Sequence, residues 1–276
     1  MFKCDNKLVL VTGSSSGIGR ETAIAFARKN AILALTGRNK AALLDLKNYI
    51  KKDGGKADIF PFDLTNIEHI PELVGDIEKN FNSSIDILVN NAGIGVSGLI
   101  EKVPIKEYSL ILQVNFLAPL ALSQSVIPGM KAKRNGQIIN ISSGAGKRGL
   151  PFLSAYCATK FALNALTESM RVELAPYGIK VILFSPGLVD SAFTSRTKVY
   201  SLKKNPFSLG KMLSSQEVGE KIVSASEHQK REVILSSRTK LSYRLNYWFP
   251  YLIDLILGYK MTKSLDFDHD HEYSKQ

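Results

Sequence analysis

The chain has 276 residues, 45% of them apolar, and its 36 Lys and Arg against 25 Asp and Glu give a formal charge of +11. That is enough apolar material for one large α/β domain with a modest extension, and it excludes a disordered chain. Two cysteines, Cys4 and Cys157, are too few for a disulfide framework, lack metal-ligand spacing and suit a reducing, cytoplasmic setting. The opening run MFKCDNKLVLVTG leads straight into a strand, so no signal peptide is expected.

Short β-branched runs then alternate with amphipathic stretches, the pattern of parallel strands joined by crossover helices. Strands are predicted at 7–12, 31–36, 57–61, 85–89, 136–142, 179–185 and 232–236, with helices starting near Ile18, Lys40, Asn66, Ile105, Ser154 and Ser215. Seven strands so connected predict an α/β, doubly wound, mostly parallel, Rossmann-like sheet with helices on both faces. Ligands of such sheets sit beyond the carboxyl ends of the strands. The domain reading is a dinucleotide-binding catalytic unit over 1–239, followed over 240–276 by an apolar, amphipathic extension and a polar tail.

After the first strand stands TGSSSGIG, Thr12 to Gly19. Gly13, Gly17 and Gly19 let the chain turn tightly and approach a pyrophosphate while the next helix offers its N-terminal amides; the same glycines would also make a turn with no ligand. Arg38, in LTGRN, stands where an acidic residue would bond the adenosine ribose and repel a 2′-phosphate. An arginine pairs with that phosphate and favours NADP(H), unless it is only an exposed loop residue. Asp63, in FDL, is placed either to bond an adenine amino group or to cap a helix. The small-residue loop NNAGIG, from Asn90, lets a flat cofactor lie close to the backbone. Asn115 interrupts an apolar helical run, as an asparagine that merely satisfies buried backbone also would. NISS ends the fifth strand at Ser142 and Ser143, and AYCATKFAL puts Tyr156 and Lys160 one turn apart on one helix face.

TGSSSGIG, NNAG, NISS and YCATK, in this order, resemble the short-chain dehydrogenase/reductase family over about Lys7 to Ser191, SPGLVDS included. The resemblance implies a catalytic tetrad of Asn115, Ser143, Tyr156 and Lys160, with Ser143 rather than Ser142 because its spacing to the tyrosine fits the family pattern. It implies cofactor contacts from Gly13, Ser15, Ser16, Gly17, Ile18 and Gly19, from Asp63 and Leu64, and from Asn90, Ala92 and Gly93. Tyr156, Lys160, Pro186, Gly187, Val189 and Ser191 complete the set around the nicotinamide, Ser191 standing where the family commonly has threonine. In such a site an ammonium and a cationic ring favour the phenolate of a tyrosine whose ordinary pKa is about 10. Ser143 donates a hydrogen bond to the substrate oxygen, Tyr156 delivers the proton, and Asn115 holds a water in a relay to Lys160. The implied activity interconverts a carbonyl and an alcohol. A cofactor-sensing binding protein of the same fold is the alternative, and the intact Tyr156 and Lys160 pair argues against it.

A serine hydrolase is set aside, because no G-x-S-x-G elbow is present and no triad motif surrounds His69, His228, His269 or His271. The tail DFDHDHEY, 266–273, reads as solvated, so no metal is expected. Residues 197–263 hold 12 Lys and Arg against 5 Asp and Glu, but no nucleic-acid-reading motif accompanies them, so no nucleic-acid partner is expected. Within 240–263, Leu241, Leu245, Trp248, Leu252, Leu255 and Ile256 follow helical spacing, interrupted by Pro250. Arg244 and Asp254 would each cost about 2.5–3.5 kcal/mol at a bilayer centre, so peripheral membrane contact is favoured over a span. Packing over the substrate cleft or against a second subunit is the alternative. Contact with lipid or with the cleft implies a lipophilic substrate, such as a keto-lipid, steroid-like or retinoid-like compound. The family resemblance also implies a homo-oligomer.

Overall fold

Successive residues of a strand face opposite sides of a sheet, which sorts the apolar runs of this chain into two cores. In β1 (Leu8–Thr12), Val9 and Val11 enter one core and Leu8 and Leu10 the other. The computed structural model describes residues 1–200 and 212–264. After β1 come α1 (Gly17–Ala27), β2 (Ile32–Gly37), α2 (Lys40–Lys52), β3 (Lys56–Pro61), α3 (Ile70–Phe81), β4 (Ile87–Asn90) and β5 (Val96–Gly98). The chain continues through α4 (Ile105–Leu112), α5 (Ala118–Lys133), β6 (Gly136–Ile141), α6 (Ser154–Leu174), β7 (Ile179–Ser185), β8 (Val189–Asp190) and α7 (Ala192–Arg196). It ends with β9 (Lys198–Tyr200), β10 (Leu213–Ser214), α8 (Ser215–Glu227), β11 (Glu232–Ile234), α9 (Ser237–Trp248) and α10 (Pro250–Ser264).

The central sheet has seven strands in the order β11-β7-β6-β4-β1-β2-β3, and every pairing is parallel. Helices α1, α2 and α8 cover one face through Phe26, Leu43, Leu46 and Ile222; α3, α5 and α6 cover the other through Leu73, Ile77, Leu122 and Met170. This is the doubly wound architecture that the alternating pattern predicts. Its strand order reverses direction between β1 and β4, which leaves a crevice at their carboxyl ends.

Local chemistry moves several boundaries. β4 starts two residues later than expected because Asp86 turns its carboxylate back to accept from the Leu8 amide at 3.0 Å. A 3₁₀ turn at Ile67–His69 precedes α3, whose first turn holds Pro71, where a missing N–H costs nothing. β11 stops at Ile234, and the Ser236 hydroxyl accepts from the Thr239 amide at 3.2 Å to start α9. The helix predicted from Ile105 contains a π turn at Gln113–Leu117. Pro119 explains it: proline has no N–H for the Asn115 carbonyl four residues back, so the ladder widens there and Asn115 occupies the widened turn. Two short parallel pairings, β5 with β9 and β8 with β10, lie outside the main sheet and were not anticipated.

The extension forms two helices that break at Phe249, with Pro250 opening the second as its position predicts. Tyr243 donates to the Gly144 carbonyl at 2.6 Å, and Arg148 reaches Asn246 at 2.5 Å and pairs with Asp254. The predicted solvated tail, 266–273, lies outside the described residues, as do Lys203, Lys204 and Lys211 of the basic stretch.

Candidate active site

A cavity of about 540 Å³ opens at the carboxyl ends of the central strands. The glycine-rich turn forms one end. Gly13 and Gly17 have φ of +65° and +54°, a region side chains disfavour, and a Cβ on Gly13 would meet the Ala92 backbone at 2.9 Å. Ser16 precedes α1 without capping it through its side chain, and no acid occupies the first turn. The first amides of α1 are therefore oriented to receive an anion. Arg38 stands exposed on the wall beyond β2, and among the described residues it has no ion pair. Asp63 lines the same region, with Oδ1 accepting from both the amide and the hydroxyl of Thr65 at 3.0 Å. These bonds close a turn over 63–65 and cap no helix, so the helix-capping alternative for Asp63 is not realised, and the residue stands in the wall.

At the other end, β6 delivers Ser142 and Ser143, and the first turns of α6 deliver Tyr156 and Lys160. Ser142 donates to Asn164 Oδ1 at 2.6 Å, whereas the Ser143 hydroxyl bonds Tyr156. Lys160 is buried, and its Nζ donates to the Ile141 carbonyl at 2.8 Å and lies 5.7 Å from the Tyr156 ring centroid. Burial pushes the Tyr156 phenol up to about 12, with the Ser143 hydrogen bond opposing, and pushes the Lys160 ammonium down to about 8. Loss of hydration penalises both charged forms and sets the direction of both shifts.

Most of the residues expected at a cofactor line this cavity: Gly13, Ser15, Ser16, Gly17, Ile18, Arg38, Asp63 and Leu64, then Ala92, Gly93, Pro186, Gly187, Val189 and Ser191. Three expected residues stand behind the wall. Gly19 packs against the Gly13 carbonyl, where a side chain would clash. Asn90 donates to Asn140 Oδ1 at 2.8 Å beneath the floor. Asn115 accepts from the Ile94 amide at 2.9 Å and donates to the Ile94 carbonyl at 3.0 Å, pinning the loop that carries Gly93. Ser191 spends its hydroxyl on the Phe193 amide at 3.4 Å, starting α7.

Other wall residues carried no recognisable local signal. Phe193 lies against Tyr156, with ring centroids 5.6 Å apart. Arg196 donates to Ser16 Oγ at 3.2 Å, which ties the segment after Ser191 to the glycine-rich turn. Glu107 is buried and accepts from Lys198 at 2.8 Å and from Tyr200 at 3.0 Å; the Lys198 hydrogen bond holds its carboxyl below the usual range. Asn91 was legible in NNAG: its Nδ2 donates to the Thr12 carbonyl at 2.8 Å and locks β4 to the end of β1. Among the described residues none of α9 or α10 lines this cavity, and Tyr243 of α9 reaches the Gly144 carbonyl beside Ser143. Among the described residues no group of three or more His, Cys, Asp or Glu could hold a metal.

A glycine turn feeding a helix N-terminus, facing a Ser-Tyr-Lys cluster across the switch point of a parallel sheet, defines a dinucleotide-dependent oxidoreductase. Residues 7–199 match the short chain dehydrogenase family, and the chain belongs to it. It is 33% identical over 275 residues to the ketoacyl reductase HetN of Nostoc sp., covering 97% of this chain and 93% of that protein. It is 30% identical over 240 residues to dehydrogenase/reductase SDR family member 7B of Xenopus tropicalis, covering 83% of this chain and 77% of that one. A Burkholderia phymatum short chain dehydrogenase/reductase, solved with NAD, shares the fold with a TM-score of 0.84 at 21% identity, covering 92% of this chain and 97% of that one. A metagenomic short-chain oxidoreductase solved with NADP has a TM-score of 0.72 at 28% identity, covering 85% of this chain and 98% of that one.

Proposed function

We propose that this chain is an NADP(H)-dependent oxidoreductase that interconverts a carbonyl and an alcohol on a lipophilic substrate. The observation that carries the proposal is the meeting of Ser143, Tyr156 and Lys160 in one cavity with the amide cradle of α1. Arg38 beyond β2, with no carboxylate in the same wall position, supports a 2′-phosphate. Ile94, Val96, Leu110, Val114 and Phe193 line the cavity beside the ion-paired Glu107 and Lys198, and their apolar share supports a lipophilic reactant. The ketoacyl reductase relative, by its name, acts on an acyl chain, in keeping with that class. Two buried, unpaired cysteines suit a cytoplasmic setting.

The bound coenzyme supplies the hydride. Ser143 and Tyr156 present their hydroxyls to the carbonyl oxygen, where negative charge grows. Tyr156, protonated at neutral pH, transfers its proton to that oxygen. Lys160, still largely charged below about pH 8, stabilises the phenolate left behind. The oxidative direction runs the same steps backwards, with Tyr156 accepting the proton. Tyr156→Phe removes the donated proton and keeps the ring packing on Phe193. NADPH-dependent reduction of a long-chain ketone should fall by at least about 100-fold while NADPH binding changes little. Undiminished turnover would sink the assignment.

A further inference from the structure

Ser143 stands where the central sheet lets go of the chain. The Ser142 amide still donates to the Phe184 carbonyl of β7 at 2.7 Å. Beyond it Ser143 is extended, with φ of −155°, and leads into a 3₁₀ turn at Gly144–Gly146. The two glycines of that turn have no side chain to anchor it, and Ala145 buries only a methyl. Side chains from elsewhere hold it in place. From α6, Asn164 donates to the Gly146 carbonyl at 2.8 Å while accepting from Ser142 at 2.6 Å. From α9, Tyr243 donates to the Gly144 carbonyl at 2.6 Å. The helix fits closely there: a Cβ on Gly144 would stand 3.0 Å from the Tyr243 hydroxyl oxygen and 3.3 Å from Thr239 Cγ2. Past the turn, Arg148 reaches Asn246 of the same helix, so α9 clasps the segment at both ends.

We propose that Tyr243 is a positioning residue for the reaction: by gripping the Gly144 carbonyl it fixes how Ser143 presents its hydroxyl to the substrate oxygen. The inference rests on the role given to Ser143 above. One rigid unit carries the coupling. The Gly144 carbonyl and the Ala145 N–H belong to a single planar peptide, and that N–H donates to Ser143 Oγ at 3.2 Å. Tyr243 therefore holds one edge of the plane while the opposite edge holds the serine oxygen, which also bonds Tyr156. The Lys147 amide donates to the same Gly144 carbonyl at 3.1 Å, so the tyrosine occupies its second lone pair and stops the plane from tilting about the first bond. Burial, with Glu232 nearby, raises the Tyr243 phenol, so the hydroxyl stays a donor at any working pH. Tyr243 does not line the cavity; it acts through Ser143 and not on the reactants.

Tyr243→Phe removes the hydroxyl and keeps the ring. A displacement of about 1 Å at a reacting group costs up to about 100-fold, and the Lys147 bond limits the movement here, so kcat for NADPH-dependent reduction of a long-chain ketone should fall by about tenfold. KM for ketone and for coenzyme should stay within about twofold. In the coenzyme-free protein, hydrogen exchange at the amides of Ala145, Gly146 and Lys147 should quicken at least about threefold while that of the central strands is unchanged. A double-mutant cycle with Ser143→Ala separates positioning from a loosened structure. Once the serine hydroxyl is gone, Tyr243→Phe should cost no more than about a further twofold, whereas general loosening would cost about tenfold in both backgrounds. Full kcat in Tyr243→Phe, a loss carried by KM, unchanged exchange in the turn, or equal losses in the two backgrounds would overturn the proposal. Undiminished turnover in Ser143→Ala alone would instead strike the reading of the site, and the proposal with it.

Discussion

Replacing Lys160 with methionine should stabilise the fold while removing catalysis. Burial pushes the Lys160 ammonium down to about 8 from the 10.5 of a solvated lysine. A difference of about 2.5 units is about 3 kcal/mol of penalty on folding with the ammonium charged. Methionine fills much of the same path without the charge. It also withdraws the donor from the Ile141 carbonyl, now 2.8 Å from Nζ, which costs about 1 kcal/mol. The net gain is about 2 kcal/mol at pH 7, or about 5 °C in Tm for a domain of this size. The folded-state pKa lies below the unfolded value, so the unfolded chain binds more protons between about pH 8 and 10.5. The unchanged protein therefore gains stability as pH rises through that window, and its deficit against Lys160→Met should close. Urea unfolding of both proteins without coenzyme, at pH 7 and again near pH 10, measures the gap. A variant less stable at pH 7, or a gap that ignores pH, would refute the burial argument. Reductase activity should meanwhile drop by at least about 100-fold, so stability and catalysis would move in opposite directions.

Arg38→Glu should raise the KM for NADPH by about 10–100-fold and change that for NADH much less, since a charge-assisted pair with the 2′-phosphate is worth about 1.5–3 kcal/mol; equal effects on both coenzymes would remove Arg38 from phosphate recognition. Arg196→Ala breaks the tie to Ser16. It should weaken NADH and NADPH alike by about 3–10-fold, because the guanidinium lines the cavity bonded to the glycine-rich turn that both coenzymes would share; titration of the reduced coenzymes' own fluorescence with protein reads this out. Glu107→Gln leaves Lys198 without its carboxylate and should loosen the segment from Phe193 to Tyr200, seen as faster protease cleavage there. Because Lys198 depresses the Glu107 pKa below 4.5, the latch holds above that value and is lost as pH falls through the depressed one, so acid should speed cleavage of the unchanged chain.

The local sequence carries much of this molecule. The continuous apolar, β-branched run LVLVT and the helical spacing of α2 and α3 are set by neighbours a few residues away, so strands, helices and their parallel class were legible. So were most of the residues that line the cavity, because TGSSSGIG, NNAG, NISS and YCATK each hold several of them in one short run. Ser143, Tyr156 and Lys160 meet as that order predicts. Asn115 was legible as an oddity, but its hold on Ile94 depends on the π turn that Pro119 imposes.

Tertiary structure decided what distant atoms decide. The strand order brings the turn after β1 and the end of β6 to one crevice, although more than a hundred residues separate Gly13 from Ser143. The direction of the Tyr156 and Lys160 shifts follows from how much water the fold excludes, which spacing along a helix does not encode. Arg196 on Ser16 and Glu107 on Lys198 come from segments with no motif of their own. Periodicity and short motifs report forces acting within a few residues; desolvation, ion pairing and surface exposure depend on everything folded around a group, so they exist only once the chain has closed upon itself.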